Sequence, residues 1–311
     1  MQYDQYFTRP SLAVKSLSVG FRGARREVEM YDFLGETEHY SISFGFQWSK
    51  YRNVQIDRLN GTKASHNHLI MFCQGDTSFL KGTTCLEIGS GAGRFTDYLV
   101  DLCKIVITVD SSQAIFHNVT LGASNLIACR ADLFDIPVLR DRVDVVFCRG
   151  VIQHTMSPKH AIAKLFDYAR PGGTVLFDVY PLKWYTPLMA KYWLRALTVG
   201  SKTEKFLSLA EQWVPRLLRT KKDFVNRIFP DNKWGHFLSD QLIPIVDHSR
   251  SADFNSWEQK VQWSILDTID RYTPRYDKPM TFRSVMQVLK NLGAREIQAD
   301  PVTFCFRATV P

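Results

Sequence analysis

Short apolar runs alternate with stretches of helical periodicity between Thr83 and about Pro181. The runs read TTCLEIG, IVITVD, LIACRAD, VDVVFCR and GGTVLFDVY, and they are apolar almost throughout, as strands covered on both faces must be. Such alternation predicts a parallel sheet with helices on both sides. Further along, a helix from about Thr281 to Leu292, stopped by Gly293, precedes the runs REIQA and TFCFRAT, which are close enough to pair as a hairpin. The pattern therefore predicts an α/β fold.

The α/β pattern is interrupted for about ninety residues after Tyr180. Segments such as LMAKYWLRAL and EKFLSLAEQWVPRLL carry apolar residues at helical spacing, which predicts a helical insertion. Six of the seven tryptophans fall here, where they either fill the core of a subdomain or bind sugar faces or a lipid-linked carrier. We divide the chain into an aromatic, mostly helical N-terminal lid region (1–80), a core (81–180), a helical substrate-binding insertion (181–275) and a segment that completes the core sheet (276–311).

The overall charge and the cysteines narrow the class of protein only slightly. A formal charge of +8 suits an acidic partner, such as phosphate, nucleic acid or an anionic membrane, but it also suits a solvated basic surface, because the basic residues form no run. The six cysteines are scattered without a CxxC pair, which favours reduced core cysteines over a disulfide or zinc framework. The first residues, MQYDQYFTRP, lack the segments of a secretion signal, and no stretch approaches the ~20 apolar residues that span a bilayer. We therefore expect a cytoplasmic protein.

The run LEIGSGAGRF places three glycines, Gly89, Gly91 and Gly93, between the first strand of the core and a helix. A strand that ends in such a turn brings backbone N–H groups and a helix N-terminus close to a ligand. Alone, the pattern is also explained by a tight strand-to-helix turn without a ligand. The sequence therefore predicts either a ligand-binding turn or a purely structural one.

Two acidic residues at the ends of the next strands favour a ligand. Asp110 ends IVITVD, where a carboxylate can accept hydrogen bonds from both hydroxyls of a ribose, and Asp132 follows LIACRA, where it can receive the amine of adenine. Each could instead cap the helix that follows. Arg94 replaces the last glycine of the dinucleotide fingerprint and no Walker lysine is present, while Glu87 is a poor neighbour for a pyrophosphate and a good one for an amine. These residues favour S-adenosylmethionine.

These motifs resemble those of the class I S-adenosylmethionine-dependent methyltransferases, from Gly82 to about Tyr180 and again over the final helix and two strands. The resemblance rests on LEIGSGAGRF, Asp110, Asp132, residues 143–154 and ARPGGTVLF. It implies a Rossmann-like seven-stranded sheet whose last strand is antiparallel, a helical N-terminal lid, and a helical insertion before the last two strands. The segments FGFQWSKYRNVQID, GVIQHT and LDTIDRYTPRYDKP resemble a bacterial subgroup often associated with surface-polysaccharide and small-molecule pathways, in which many members have a histidine at the position of Gln153.

The resemblance also implies which residues hold the cofactor. They are Glu87, Gly89, Ser90, Gly91, Arg94, Asp110, Ser111, Asp132, Leu133, Arg149 and Gly150, with Trp48 and Arg52 contributed by the lid. In the lid, Phe46, Trp48 and Tyr51 would shield the sulfonium from water, or would pack as plain core. Arg94 would bind the carboxylate of the cofactor, or would form a salt bridge on a helix face.

Methyl transfer from a sulfonium needs positioning of the acceptor more than it needs acid catalysis, because the leaving group is a neutral thioether. A hydroxyl acceptor would benefit from a base, for which His154 is the candidate; the alternative is a histidine that holds its loop. By resemblance, Tyr272 and Arg275 lie in a loop that approaches the active site, where arginine would suit an anionic substrate. We expect no metal site.

The leading interpretation is an O-methyltransferase that acts on a glycan, a sugar nucleotide or a related small metabolite. The basic balance also permits an RNA methyltransferase, although no RNA-binding module and no stripe of basic and aromatic residues is recognisable, so we expect no nucleic acid partner. A third alternative is a scaffold that keeps the fold without turnover. Contact with a membrane or a lipid-linked substrate stays open, and the sequence does not predict the oligomeric state.

Overall fold

A computed structural model describes residues 4–35, 50–118, 120–199, 203–229 and 232–311. Phe46 and Trp48, two of the residues predicted for the lid, lie outside these ranges. The chain divides into two compact units. The α/β unit comprises 1–49, 65–182 and 276–311, and the helical unit comprises 50–64 and 183–275.

The α/β unit contains a nine-stranded sheet with the strand order β1-β2-β5-β4-β3-β6-β7-β9-β8. The strands are β1 (Ala13–Phe21), β2 (Ala24–Asp32), β3 (Thr84–Ile88), β4 (Ile105–Asp110), β5 (Leu126–Arg130), β6 (Val145–Cys148), β7 (Thr174–Asp178), β8 (Arg295–Ala299) and β9 (Cys305–Thr309). Strands β3 to β7 are parallel, and β9 pairs antiparallel with both β7 and β8. The predicted α/β sheet and its antiparallel last strand are confirmed.

The predicted number of seven strands was wrong, because an N-terminal hairpin adds two more. Strands β1 and β2 pair antiparallel through a turn at Arg22 and Gly23, both with positive φ, and Met30–Asp32 of β2 pairs parallel with Ala128–Arg130 of β5. The side chains of β1 are mostly exposed, so its apolar signal is weak. The described part of the N-terminal region therefore contains a strand hairpin, which the sequence did not predict, in addition to helices.

The helices lie between the strands and have between three and 18 residues. In chain order they are α1 (Arg52–Gln55), α2 (Asp57–Asn60), α3 (Ala64–Phe72), α4 (Thr96–Leu102), α5 (Pro158–Tyr168), α6 (Ala190–Thr198), α7 (Thr203–Thr220), α8 (Asn226–Ile228), α9 (Lys233–Leu242), α10 (Trp257–Tyr272) and α11 (Phe282–Asn291). A π-helical turn, Lys221–Val225, joins α7 to α8. No helix of the described residues combines the length and the apolar content needed to cross a bilayer.

The central strands are buried on both faces. Leu86 and Ile107 belong to the core on one side of the sheet, and Cys85 and Val106 belong to the core on the other side. All six cysteines are buried and unbridged, as the scattered spacing predicted. Burial on both faces explains why these strands are recognisable as continuous apolar runs.

The insertion after β7 is helical, as its periodicity predicted, but its tryptophans do not form a common core. Trp263 is buried with Leu266 and Ile269 of the same helix, α10. In contrast, the indoles of Trp184 and Trp193 are 75% and 69% exposed. The expectation that these tryptophans fill a subdomain core is therefore wrong for the exposed members.

Candidate active site

The glycine turn after β3 is tight because the protein's own side chains lie against it. Gly89 and Gly93 have φ angles of 80° and 98°, which favour glycine. A Cβ on Gly89 would lie 2.1 Å from Val151 Cγ2, and one on Gly93 would lie 2.3 Å from Asn118 Oδ1. Close packing within the protein therefore requires glycine at both positions.

The N–H groups of this turn are largely engaged by the protein itself. Gly89 and Ser90 donate to the carbonyl of Val109, Gly93 donates to the carbonyl of Ser90, and Gly91 donates to Asp110 Oδ2 at 2.8 Å. A phosphate-binding turn needs such groups directed at the anion. The arrangement therefore suits a cofactor without a phosphate.

Asp110, at the end of β4, organises this turn. Its Oδ2 accepts the Gly91 N–H, and its Oδ1 accepts the N–H and the hydroxyl of Ser112 at 2.7 and 2.6 Å. A carboxylate has about four acceptor positions, so capacity for a further donor is left. Ser112, which also caps the following 3-10 turn, was not singled out by the sequence, which pointed to its neighbour Ser111.

Glu87 is buried beneath the turn. Its Oε2 accepts hydrogen bonds from the hydroxyls of Thr96 and Thr108 at 2.6 and 2.8 Å. Burial raises the pKa of Glu87 to about 7, against these two hydrogen bonds, which lower it. A cationic group next to Glu87 would reverse this shift, so the site favours a ligand with an amine.

Two buried polar side chains at the ends of adjacent strands have no hydrogen-bond partner among the described residues. They are Ser90, through its Oγ, and Gln153, through both atoms of its amide. Val151 packs on Gly89, which brings the segment after β6 against the glycine turn. Buried polar groups without a partner are costly, so both side chains indicate a polar ligand.

The end of β6 is held by an acidic residue that the sequence analysis did not select. Asp178, the last residue of β7, accepts hydrogen bonds from Arg149 and from the N–H of Gly150, each at 2.6 Å. Arg149 also lies over the ring of Phe72. The end of a parallel strand was the available signal for Asp178, as it was for Asp110. Arg149 and Gly150 are therefore fixed in place at the predicted cofactor edge.

His154 lies in a 3-10 turn directly after β6 and is buried. Its Nδ1 is 3.0 Å from the carbonyl oxygen of Tyr276, and its ring makes an edge contact with Tyr180. Since a carbonyl only accepts, Nδ1 carries the hydrogen, and in the neutral ring Nε2 is then the nitrogen that can take up a proton.

The remaining predicted cofactor residues have contacts within the protein. Arg94 bonds to Ser65 and His68 of α3, a polar contact that differs from both predicted roles. Asp132 caps the following 3-10 turn through the N–H of Phe134, which is its predicted structural alternative, and Leu133 is buried beside it. Their roles toward a cofactor stay predictions.

The helical unit holds the other predicted residues. The Tyr272 hydroxyl donates to the carbonyl of Pro244 at 2.6 Å in a buried position, so the structure gives this side chain a packing role. Arg275 is exposed. Tyr51, predicted for the lid, is buried in the helical core and donates to Glu211, and Arg52 begins α1.

Among the described residues, no group of three or more metal-binding side chains is present.

Comparisons with known proteins identify the central segment. Residues 86–177 match the methyltransferase domain family. A protein described as a probable S-adenosylmethionine-dependent methyltransferase of Mycolicibacterium smegmatis is 30% identical over 95 residues, which are 30% of this chain and 37% of that protein. Over residues 86–177 the chain is therefore similar to S-adenosylmethionine-dependent methyltransferases.

Two further comparisons extend beyond this domain. A tRNA U34 carboxymethyltransferase of Desulforapulum autotrophicum is 25% identical over 150 residues, which are 46% of this chain and 41% of that protein. The solved structure of a DhpI–SAM–HEP complex is 16% identical with a TM-score of 0.45, and the match covers 88% of this chain and all of that one. The chain spans about two fifths of the length of the two curated relatives.

The residues of the methyltransferase domain fit its cofactor. S-Adenosylmethionine carries an amine and no phosphate, in agreement with the buried carboxylate of Glu87 and the engaged N–H groups of the glycine turn. Ser90 and Gln153 supply polar atoms that still need partners.

Proposed function

We propose that this chain methylates a hydroxyl oxygen of a glycan, a sugar nucleotide or a related small metabolite. The observation that carries the proposal is the hydrogen bond between His154 Nδ1 and the Tyr276 carbonyl. It leaves Nε2 as the basic nitrogen of a buried ring at the end of β6. A hydroxyl acceptor needs such a base, whereas a carboxylate or phosphate acceptor does not.

The cofactor would be held along the ends of β3 to β6. In this proposal Glu87 balances its ammonium, Asp110 accepts from the ribose, and Asp132 faces the adenine amine. S-Adenosylmethionine supplies a methyl group on a positively charged sulfur, and the electron pair of the broken carbon–sulfur bond stays on that sulfur.

The protein's own contribution is to orient the acceptor and to remove its proton. The Gln153 amide, buried and without a partner among the described residues, can hold a hydroxyl through either of its polar atoms. As the oxygen forms its bond to the methyl carbon, the hydroxyl proton passes to His154 Nε2. Burial of both side chains keeps water away from the reacting oxygen.

RNA methylation is the second candidate, because one relative is named for tRNA and the chain carries a formal charge of +8. The two functions differ in the chemistry of the labelled product. We would incubate the chain with methyl-labelled S-adenosylmethionine and fractionated host metabolites, glycans and RNA. Label that survives ribonuclease and is released as an O-methyl sugar or metabolite would support the proposal. Label confined to ribonuclease-sensitive material would contradict it, and the absence of any acceptor with intact cofactor binding would favour the scaffold.

The role of His154 can be tested separately from cofactor binding. We expect His154→Ala to slow transfer to a hydroxyl by about 10² to 10⁴-fold, the usual contribution of a general base, with cofactor affinity nearly unchanged. The matched control is His160→Ala, which removes an exposed histidine of α5 in the same unit. Full activity of His154→Ala would return His154 to the role of a loop-holding residue.

A further inference from the structure

Helix α6 has its polar and apolar residues in an unusual arrangement. Its two basic side chains, Lys191 and Arg195, are buried, whereas Trp193 and Leu197 are 69% and 81% exposed. Arg195 donates to the carbonyls of Arg271 and Pro274, which satisfies part of its buried charge. A surface helix normally turns its apolar stripe toward the core and its charged residues to water. The apolar stripe of α6 faces outward instead.

Helix α9 repeats this arrangement. Trp234, Leu238 and Leu242 follow at intervals of four residues and are all exposed, while Gly235 and Ser239 are buried. Residues at i, i+4 and i+8 lie on one face of a helix. A single face of α9 therefore presents three large apolar side chains to its surroundings.

The two helices contribute to one surface. The Gln241 side chain of α9 accepts from the N–H of Ala190 and donates to the carbonyl of Leu188, at the start of α6. The rings of Trp184 and Trp234 lie 6.4 Å apart. We name this surface the apolar face and define it by Trp184, Trp193, Leu197, Trp234, Leu238 and Leu242. Several large exposed apolar side chains on neighbouring elements mark an interaction site.

The segment that carries the apolar face is basic. Residues 183–242 contain eleven lysines and arginines against five acidic residues, a net charge of +6, while the whole chain carries +8. Lys191, Arg195 and Lys221 are buried, whereas the exposed basic side chains of the segment include Lys183, Lys205, Arg216, Arg219, Lys222 and Arg227. A second copy of the chain would bring the same positive charge, which opposes pairing of two such faces. An anionic lipid surface has the complementary charge, and tryptophan prefers the boundary between lipid and water.

We propose that the apolar face of α6 and α9 docks onto an anionic lipid bilayer. The helices would lie in the plane of the interface, with their indole and leucine side chains among the acyl chains and the surrounding basic residues near the headgroups. This inference does not depend on methyl transfer, because the docking surface contains none of the residues assigned to the cofactor or to the proton.

The test is sedimentation of the full chain with vesicles of phosphatidylcholine, with and without phosphatidylglycerol. We expect at least about tenfold stronger partitioning onto the anionic vesicles, and a large loss when salt rises from about 0.1 M to about 0.5 M. Trp193→Ser combined with Leu197→Ser should weaken partitioning at least about tenfold, because two apolar side chains that would enter the bilayer are lost. The matched control is Leu12→Ser combined with Val302→Ser, which removes two exposed apolar side chains from the α/β unit and should change nothing.

Both variants alter exposed side chains, so circular dichroism and S-adenosylmethionine affinity should match the unmodified chain. Failure of the unmodified chain to bind anionic vesicles would overturn the proposal, as would equal partitioning of the Trp193 and Leu197 variant. A dimer in analytical ultracentrifugation that this variant dissociates would instead identify a second copy as the occupant.

Discussion

In the α/β unit, large apolar side chains such as Leu86 and Leu165 are completely buried, whereas in the helical unit Trp193 and Leu197 of α6 are mostly exposed. Both sets follow the periodicity expected of their secondary structure. The periodicity shows that residues share a face, but it does not show what that face contacts. The same kind of apolar periodicity therefore belongs to a buried core in the α/β unit and to an exposed surface in the helical unit.

Two acids of the α/β unit and two acids of the helical unit differ in their hydrogen-bond partners. In the α/β unit, Asp110 and Glu87 accept hydrogen bonds from the turn and strands that form the cofactor edge. In the helical unit, Asp267 lies 2.7 Å from His248, and Glu211 lies 2.6 Å from Lys50. Asp110 and Glu87 therefore keep acceptor positions for a ligand. Asp267 and Glu211 are instead paired with basic side chains of their own unit.

The largest expected difference concerns leucine. Leu165→Ala should lower the free energy of unfolding by about 3 kcal/mol, because it leaves a cavity in the core of the α/β unit. Leu197→Ala should change it by less than about 0.5 kcal/mol, since the side chain is 81% exposed. Urea unfolding of both variants checks this. A comparable loss in the two variants would show that Leu197 is covered within the protein.

The second prediction compares two hydrogen-bonded acids. Asp110→Ala should weaken S-adenosylmethionine binding by about 100-fold, because hydrogen bonds to a charged group contribute about 1.5–3 kcal/mol each. Asp267→Ala in α10 should leave the affinity within about twofold, since its partner is His248. Isothermal titration measures both. Unchanged affinity of Asp110→Ala would remove the ribose assignment.

The third prediction compares two glycines with similar φ angles. Gly61 has a φ of 71° with open space around it, whereas a Cβ on Gly89 would meet Val151 at 2.1 Å. Gly61→Ala should cost about 1 kcal/mol from backbone strain, and Gly89→Ala about 2 kcal/mol more from the clash. Thermal unfolding gives both values. Combining Gly89→Ala with Val151→Ala should recover part of the loss; no recovery would show that Val151 is not the obstacle.

The fourth prediction compares the pH dependence of two acids, Glu87 and Glu211. Burial raises the pKa of Glu87 to about 7, above the ordinary value of 4.5 that applies when the chain is unfolded. The folded state without cofactor therefore keeps a proton that the unfolded state releases, so the free energy of unfolding falls as the pH rises from about 4.5 to about 7. Burial also raises the pKa of Glu211, but the hydrogen bonds from Lys50 and Tyr51, with the Lys50 charge, outweigh it and lower the pKa overall.

The affinity for S-adenosylmethionine should also depend on the ionisation of Glu87. It should rise with pH over the range in which the free energy of unfolding falls. An ammonium group prefers the ionised carboxylate, so affinity for S-adenosylmethionine should rise about tenfold between about pH 6 and pH 8. Glu87→Gln should remove this rise, and Glu211→Gln should keep it. Calorimetry across this range is the measurement, and a slope that persists in Glu87→Gln would assign the titration to another group.

The sequence predicted the strands of the central sheet because each of them is a continuous apolar run. The runs that became β3 to β7 are apolar on both faces, and the predicted helix at 281–292 is α11, Phe282–Asn291. In the hairpin that was missed, the side chains of the edge strand β1 are largely exposed, and β2 is buried only at its end, Met30–Asp32. A strand at the edge of a sheet needs fewer apolar residues, so its local pattern is faint.

The candidate site was predictable only in part. Glu87, Asp110 and His154 could be selected because they lie in or near the carboxyl ends of parallel strands, which share one edge of a sheet. Asn118 and Asp178, which pack against or hold this edge, belong to turns and strands far away along the chain. The sequence analysis treated Gln153 only as a departure from the histidine found in many related proteins. That its amide is buried without a partner among the described residues is seen only in the structure.

The sequence by itself indicated the α/β class, the positions of the core strands along the chain and a cofactor without a phosphate, because strand periodicity and the glycine turn are local properties. Only the tertiary structure decided that α6 and α9 turn their tryptophans and leucines outward and that Gly89 accommodates Val151. Burial and close approach arise from residues that are distant in the chain, and no local pattern contains that information.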